Sequence, residues 1–154
     1  MKNEYYATIN WKSDGTAFTD GRYSRAHNWI FDCGIELKAT ASPHVVPLPY
    51  SQTDAVDPEE AFVASLASCH MLTFLHVASK KKFKVTGYVD EAIGYLEKNE
   101  CGKPWVARVL LRPRITFEGT APTAAELEAI HHVAHEECYI ANSVKTDVKV
   151  EAAG

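Results

Sequence analysis

Residues 57–80, DPEEAFVASLASCHMLTFLHVASK, form a long apolar segment with clear helix signals at both ends. Asp57 is a suitable N-cap, Pro58 fits the first helical position, and Glu60 lies three residues past the cap. From residue 61 to residue 78 the apolar side chains cover nearly the whole circumference, which predicts a helix that is buried on all sides. The lysines at 80–82 suit its C-terminus. The segment therefore predicts a central helix with a thiol, Cys69, near its middle.

Composition and charge indicate an ordinary globular protein. The 154 residues are 46% hydrophobic and 23% charged, and the net charge is −4, which disfavours nucleic acid or an anionic membrane as partner. We find no window of 18 apolar residues without charge, and the first residues, MKNEYYATINW, lack a hydrophobic signal region. We therefore expect a single cytoplasmic domain over residues 1–154. Thiols stay reduced in that compartment, so the four cysteines do not predict a disulfide framework.

Strand patterns surround the central helix. Residues 5–11 and 27–40 suit strands, residues 12–26 carry turn signals, and residues 41–56 hold three prolines and predict a long loop. Two further strands are predicted at 83–98 and 104–119, joined by a hairpin turn at Gly102. Their inward residues are expected to be Phe83, Val85, Val89, Ile93 and Tyr95 in the first strand and Trp105, Ala107, Val109, Leu111, Ile115 and Phe117 in the second.

A second helix and a last strand complete the pattern. Thr123 and Glu126 form a capping box, and the apolar spacing continues to Cys138 on the inward face. Residues 144–150 alternate as a final strand. The order of elements predicts an α+β domain, with a mostly antiparallel sheet packed on two main helices.

Cys69 would need help from elsewhere to be reactive. It lies in mid-helix, where the macrodipole has little effect on a thiol pKa. Arg22 and Arg25, in the loop DGRYSRAH, are candidate cations. Glu59 lies ten residues upstream, about 15 Å along a continuous helix. Cooperation between Glu59 and Cys69 would therefore require a helix break or another copy of the chain, and the simplest interpretation of the pattern alone is a small core side chain.

A metal site is the alternative for the second thiol. His131, His135 and Cys138 share one helical face at ligand spacing, and His70, Cys69 or water could complete a zinc site. The absence of a CxxC motif argues against it. Cys101 is expected to be exposed and incidental, and Cys33 to be structural.

Three segments resemble the OsmC/Ohr family of osmotically inducible and organic-hydroperoxide-resistance proteins. They are DPEEAFVASLASCHMLTFLHVA, KNECGKPWVARVLLRPRITFEG and PTAAELEAIHHVAHEECYIANSVKTDVKVE, and the similarity extends over about residues 20–151. The motifs that carry it are a Pro-Glu followed ten residues after the Glu by a helix cysteine, and a second cysteine that closes the late helix. The resemblance implies the OsmC-like fold, an intertwined homodimer with two active sites at the interface, and a thiol-dependent peroxidase that reduces organic hydroperoxides better than hydrogen peroxide.

Each site residue follows from that resemblance. Cys69 corresponds to the peroxidatic cysteine, Cys138 to the resolving cysteine, and Glu59 to the glutamate that orients a catalytic arginine, either Arg22 or Arg25. The cysteine and the arginine–glutamate pair are expected from different subunits.

The resemblance also implies a reaction cycle. Cys69 would form a sulfenic acid and then a disulfide with Cys138, and a dithiol reductant, a lipoyl protein or a small thiol, would reset it. No metal or organic cofactor is expected. We expect Phe62, Leu66, Met71 and Trp29 to form an apolar pocket for alkyl peroxides. A zinc-binding domain and a non-catalytic small-molecule or redox sensor remain alternatives.

Overall fold

The computed structural model describes residues 3–15 and 18–151. The chain divides into two compact units, residues 1–61 and residues 62–154, with the boundary inside the first helix. The elements have the α+β composition expected from the sequence, with two helices and mostly antiparallel strands. The assignment of residues 1–154 to a single domain stays a prediction.

The N-terminal unit contains a three-stranded antiparallel sheet. Its strands are β1 (Ala7–Asn10), β2 (His27–Phe31) and β3 (Glu36–Ala39), in the order β1-β2-β3. The predicted strand region 27–40 is thus a hairpin, because Gly34 adopts a φ of +88° and closes a turn on the carbonyl of Phe31. The expected long loop over 41–56 is confirmed, apart from one parallel bridge between Ala39 and Val56.

Helix α1 spans Pro58–Lys80 and is capped as the sequence predicts. The Asp57 carboxylate accepts a hydrogen bond from the Glu60 amide at 2.8 Å, and the Glu60 carboxylate accepts one from the Asp57 amide at 3.2 Å. At the other end Lys82 has a φ of +68°. The amides of Lys82 and Phe83 donate to the carbonyls of Ser79 and Ala78, which is a Schellman motif with lysine in the position that favours glycine.

Burial of α1 differs from the prediction. The buried residues form one stripe at four-residue spacing, Leu66, His70, Phe74 and Ala78, whereas Leu72 is 61% exposed. The expectation of burial on all sides is therefore wrong for a single chain, because its own elements cover only this stripe. By length and composition α1 could also cross a membrane, with a mean hydropathy of 1.6. One such helix is weak evidence for a span, since the core helices of soluble proteins meet the same criterion.

Between residues 83 and 119, in the C-terminal unit, the chain forms four strands where two were predicted. They are β4 (Lys84–Asp90), β5 (Ile93–Lys98), β6 (Pro104–Leu111) and β7 (Pro113–Glu118), and β8 (Asp147–Val150) follows near the end of the chain. Strands β4 and β7 pair antiparallel in one sheet. Strands β5, β6 and β8 form another, in which β8 runs parallel to β6. Each predicted strand breaks in the middle because its halves pair in different sheets.

Two of the predicted inward residues are exposed, Trp105 at 37% and Val89 at 54%, and a β-bulge explains the second. The register of β4 on β7 shifts between Val85 and Gly87, and one extra residue exchanges the two faces of a strand. Val89, predicted to face inward, is 54% exposed, and its neighbour Tyr88 packs against the core instead. The hairpin turn at Gly102 is confirmed.

Helix α2 spans Ala124–Glu136 and begins with the predicted capping box of Thr123 and Glu126. It ends earlier than predicted: Glu137 is its C-cap, and Cys138 lies beyond the helix, before a 3₁₀ helix at Ala141–Ser143. The core has two clusters. One joins the buried residues of α1 and α2, Phe74, Ala78, Ile130 and Ala134, and the other joins Leu66 to the β6 residues Val109 and Leu111.

Candidate active site

The two thiols singled out in the sequence lie together in the C-terminal unit. Cys69 is half-buried near the middle of α1, and Cys138 is 1% exposed. Burial raises the pKa of the Cys138 thiol, and a side-chain hydrogen bond with Cys69 raises it further. Both residues are free thiols. The fold therefore brings a partly accessible thiol into contact with a buried, protonated one, from positions 69 residues apart in the chain.

The surroundings of Cys138 hold its sulfur in place. Its sulfur accepts a hydrogen bond from the Ala141 amide at 3.4 Å, and the Asn142 amide donates to its carbonyl at 3.0 Å. These contacts come from the turn that follows α2, so the position of the sulfur depends on that turn. Cys33 and Cys101 are both exposed, as predicted for Cys101.

A pair of buried histidines lies between the two helices, with His70 on α1 and His131 on α2. His70 Nε2 and His131 Nδ1 are 3.0 Å apart, and the two rings stack with centroids 5.3 Å apart and planes 10° from parallel. Burial lowers the pKa of each histidine to about 4. Both residues are therefore neutral at physiological pH, and one ring donates its N–H to the ring nitrogen of the other.

This pairing removes His131 from the predicted metal site. Among the residues the structure describes, no group of three or more histidine, cysteine, aspartate or glutamate side chains could hold a metal ion. The spacing of His131, His135 and Cys138 assumed a helix that continues to Cys138, but α2 ends at Glu136. The zinc interpretation is therefore not supported.

The two candidate arginines differ in their surroundings in the N-terminal unit. The side chain of Arg22 is 69% exposed and forms an ion pair with Asp20 at 2.8 Å. Arg25 is half-buried, donates through Nη1 to the carbonyls of Gly21 and Tyr23, and lies over the Tyr23 ring at 3.6 Å. Those bonds use part of the five-donor capacity of a guanidinium group.

Glu59 lies in the first turn of α1, which runs without a break to Lys80. The helix break considered from the sequence is therefore absent. Its side-chain oxygen Oε2 is buried and has no hydrogen-bond partner within residues 3–15 and 18–151. A buried carboxylate oxygen without a donor is costly, so this oxygen is a position at which a cationic partner would be stabilising.

A cavity of about 480 Å³ opens in the N-terminal unit, and its lining is almost entirely apolar. Ile9, Trp11, Phe18 and Tyr23 form apolar walls, and Arg25 and His27 supply polar groups. His27 Nε2 accepts a hydrogen bond from Trp29 Nε1 at 2.9 Å, so its Nδ1 carries the proton that is donated to the Arg25 carbonyl at 2.7 Å.

The pocket predicted around Phe62, Leu66, Met71 and Trp29 is partly wrong. Leu66 is 1% exposed and belongs to the core cluster with Val109 and Leu111, so it is not a pocket wall. The aromatic residues of the observed cavity were missed because they occur in a turn-rich loop without periodicity. Their concentration in residues 11–23 was the available signal.

Comparison with known proteins identifies the family. A family model described as OsmC-like protein matches residues 51–153. The chain belongs to the OsmC-like family. This confirms the resemblance found in the sequence and the OsmC-like α+β fold expected from it.

Solved structures of OsmC-like proteins match over nearly the whole chain. An OsmC-like protein of unknown function from Vibrio cholerae is 54% identical, with a TM-score of 0.95 and coverage of 99% of this chain and 100% of that one. A protein from Legionella pneumophila, described as the organic hydroperoxide resistance protein OsmC, is 25% identical, with a TM-score of 0.69 and coverage of 99% and 100%.

A more distant structure shares the fold. An organic hydroperoxide resistance protein from Elizabethkingia anophelis is 19% identical, with a TM-score of 0.68 and coverage of 99% of this chain and 96% of that one. A comparison with curated proteins finds no match. The OsmC-like structures therefore include proteins named for organic hydroperoxide resistance, whereas the very similar Vibrio protein has no assigned function.

Proposed function

We propose that the protein is a thiol-dependent peroxidase that reduces organic hydroperoxides. The observation that carries the proposal is the contact between the Cys69 and Cys138 thiols, one half-buried and the other 1% exposed. A substrate can approach Cys69, and a second thiol already lies next to it. The name of the Legionella protein supports the substrate class.

The proposed cycle has three balanced steps. The Cys69 thiolate attacks the outer peroxide oxygen, the O–O bond breaks, and one proton completes the alcohol, which leaves Cys69 as a sulfenic acid. The Cys138 thiol then attacks the Cys69 sulfur, forms a disulfide and releases water. A dithiol reductant, a lipoyl protein or a small thiol, exchanges with the disulfide and becomes oxidised itself.

We assign Arg25 rather than Arg22 as the arginine of the reaction. Arg25 lines the apolar cavity, whereas Arg22 is exposed and paired with Asp20. A guanidinium group would favour the thiolate and stabilise the negative charge that develops on the peroxide oxygens. The unpartnered oxygen of Glu59 would hold that arginine in place.

A homodimer belongs to this proposal. Cys69 lies in the C-terminal unit, and Glu59 and Arg25 lie in the N-terminal unit. We propose that the arginine and glutamate serving each Cys69 come from a second copy of the chain, as the family resemblance implies. A cytoplasmic location, where thiols are kept reduced, would suit the cycle.

The test is a thiol count with intact mass before and after one equivalent of an organic hydroperoxide, without reductant. We expect the loss of two thiols and two hydrogens, located at Cys69 and Cys138. Cys69→Ser should abolish turnover, and Cys138→Ser should permit one oxidation without a disulfide. Cys101→Ser is the matched control, because Cys101 is exposed and should not affect turnover. Full turnover by Cys69→Ser would refute the proposal.

The apolar cavity favours a second candidate, a small-molecule-binding protein without efficient turnover. It predicts saturable binding of apolar ligands and no loss of thiols with hydroperoxide. The thiol count distinguishes the two candidates directly.

A further inference from the structure

We infer that the cavity of the N-terminal unit selects hydroperoxides that carry an aromatic ring over linear alkyl hydroperoxides of the same carbon number. The inference rests on the proposed function for the reaction, but its binding component can be tested without turnover. It goes beyond the expectation from the family resemblance, which favoured alkyl peroxides over small hydrated ones.

Three aromatic rings form one side of the cavity. The Phe18 and Tyr23 rings are 4.5 Å apart, and the Trp11 ring lies 5.8 Å from Phe18 and 5.9 Å from Tyr23, measured between centroids. Their planes are tilted by 36° to 77°, so both ring faces and ring edges are present. Aromatic groups prefer such tilted and edge-to-face neighbours.

Two of the three rings, those of Trp11 and Tyr23, are anchored by further contacts. Trp11 Nε1 donates a hydrogen bond to the Ser24 carbonyl at 2.9 Å. The Arg25 guanidinium lies 3.6 Å from the centroid of the Tyr23 ring and holds two carbonyls of the same loop. A wall that is fixed before binding loses little conformational entropy when a ligand arrives.

The wall is nevertheless available to a ligand. Phe18 is 53% exposed and Trp11 is 40% exposed, although each ring is large and apolar. The space they border has a volume of about 480 Å³, which is in the range of small-molecule sites, and it is widely open to solvent.

A ring-bearing ligand uses this wall better than a flexible chain. An aromatic ring in the ligand can interact favourably with the three rings of the wall, and it has few torsions that become fixed on binding. A linear chain of equal carbon number loses the freedom of several torsions. The Arg25 guanidinium supplies the donors for the peroxide oxygens at the polar side. The chemistry of the cavity thus matches an aryl-alkyl hydroperoxide.

The first experiment measures binding with redox-inert alcohols. Titration with 2-phenyl-2-propanol and 1-nonanol, both with nine carbons, should give the lower Kd for the aromatic alcohol. Phe18→Leu keeps an apolar side chain and removes one ring, so it should weaken the aromatic alcohol by about two- to tenfold. Phe18→Tyr should retain the preference, and Tyr5→Leu, whose ring is 91% exposed and outside the cavity lining, should change nothing.

The second experiment measures kcat/KM for cumene hydroperoxide and n-nonyl hydroperoxide with a dithiol reductant. The ratio should favour the aromatic substrate and fall about two- to tenfold in Phe18→Leu. Aromatic binding without thiol oxidation would reject the proposed function and leave this site standing. Equal or tighter binding of 1-nonanol would overturn the inference. Loss of the dimer in Phe18→Leu with an unchanged preference would assign the rings to a subunit contact and also overturn it.

Discussion

The histidine pair of the two helices should make the protein sensitive to mild acid. His70 and His131 are 1% and 5% exposed, and burial lowers the pKa of each from 6.5 to about 4. The unfolded chain therefore takes up protons at a higher pH than the folded chain. The stability that depends on the neutral pair is fully present above pH 6.5 and is lost as the pH falls from 6.5 to about 4.

The magnitude follows from the size of the shift. One pKa unit corresponds to about 1.4 kcal/mol, so each histidine accounts for about 3 kcal/mol of unfolding free energy across this interval. Two independent histidines would give about 6 kcal/mol. A first proton leaves the hydrogen bond between His70 and His131 intact, since the cation can still donate, but a second places two N–H groups against each other.

The assay is urea unfolding at half-unit steps from pH 4.5 to 7.5. The unfolding free energy should fall by about 1.4 kcal/mol per pH unit for each histidine that takes up a proton on unfolding. His70→Gln should reduce the number of protons taken up on unfolding by one, and so make this pH dependence less steep. Any change in the unfolding free energy that is the same at every pH does not affect this comparison. His132→Gln is the control, because that side chain is 73% exposed. An identical slope in the wild type and His70→Gln would refute the reasoning.

Two further predictions concern packing and backbone conformation. Gly94→Ala should cost about 1–3 kcal/mol of unfolding free energy by overpacking, because its Cβ would lie 2.5 Å from a methyl group of Val63. In denaturant unfolding, the double variant with Val63→Ala should recover part of this loss. Additive effects of the two substitutions would contradict the contact. Lys82→Gly should raise the melting temperature and add about 1 kcal/mol, since a φ of +68° is unfavourable for lysine. Lys81→Gly is its control and should be destabilising, and a loss in both variants would contradict the cap assignment.

Local signals in the sequence predicted the start of each helix and the class of fold. The capping residues Asp57 and Thr123 act locally, within one helical turn, so they are recognisable without the tertiary structure. The bulge in β4 could not be predicted, because it depends on pairing with a strand almost thirty residues away. Because of this bulge Val89 is exposed, whereas the alternation of apolar residues in the sequence predicted that it faces inward.

The candidate site was predictable only in part. Family resemblance singled out Cys69 and Cys138, but no spacing rule brings two residues so far apart in sequence into contact. The pairing of His70 with His131 was missed for the same reason. The aromatic wall around Phe18 was missed because loops have no period from which burial can be predicted.

The location of Cys138 beyond the end of α2 has a consequence for how the redox state of the protein could be observed. A bond from Cys69 to Cys138 would close a loop of about 70 residues, and loop-closure entropy would then stabilise the folded chain by about 4 kcal/mol. For a chain of this length that corresponds to a rise of about 10 °C in melting temperature. The oxidised and reduced forms would separate on heating, so the fraction oxidised could be measured from a melting curve of the protein without any chemical label.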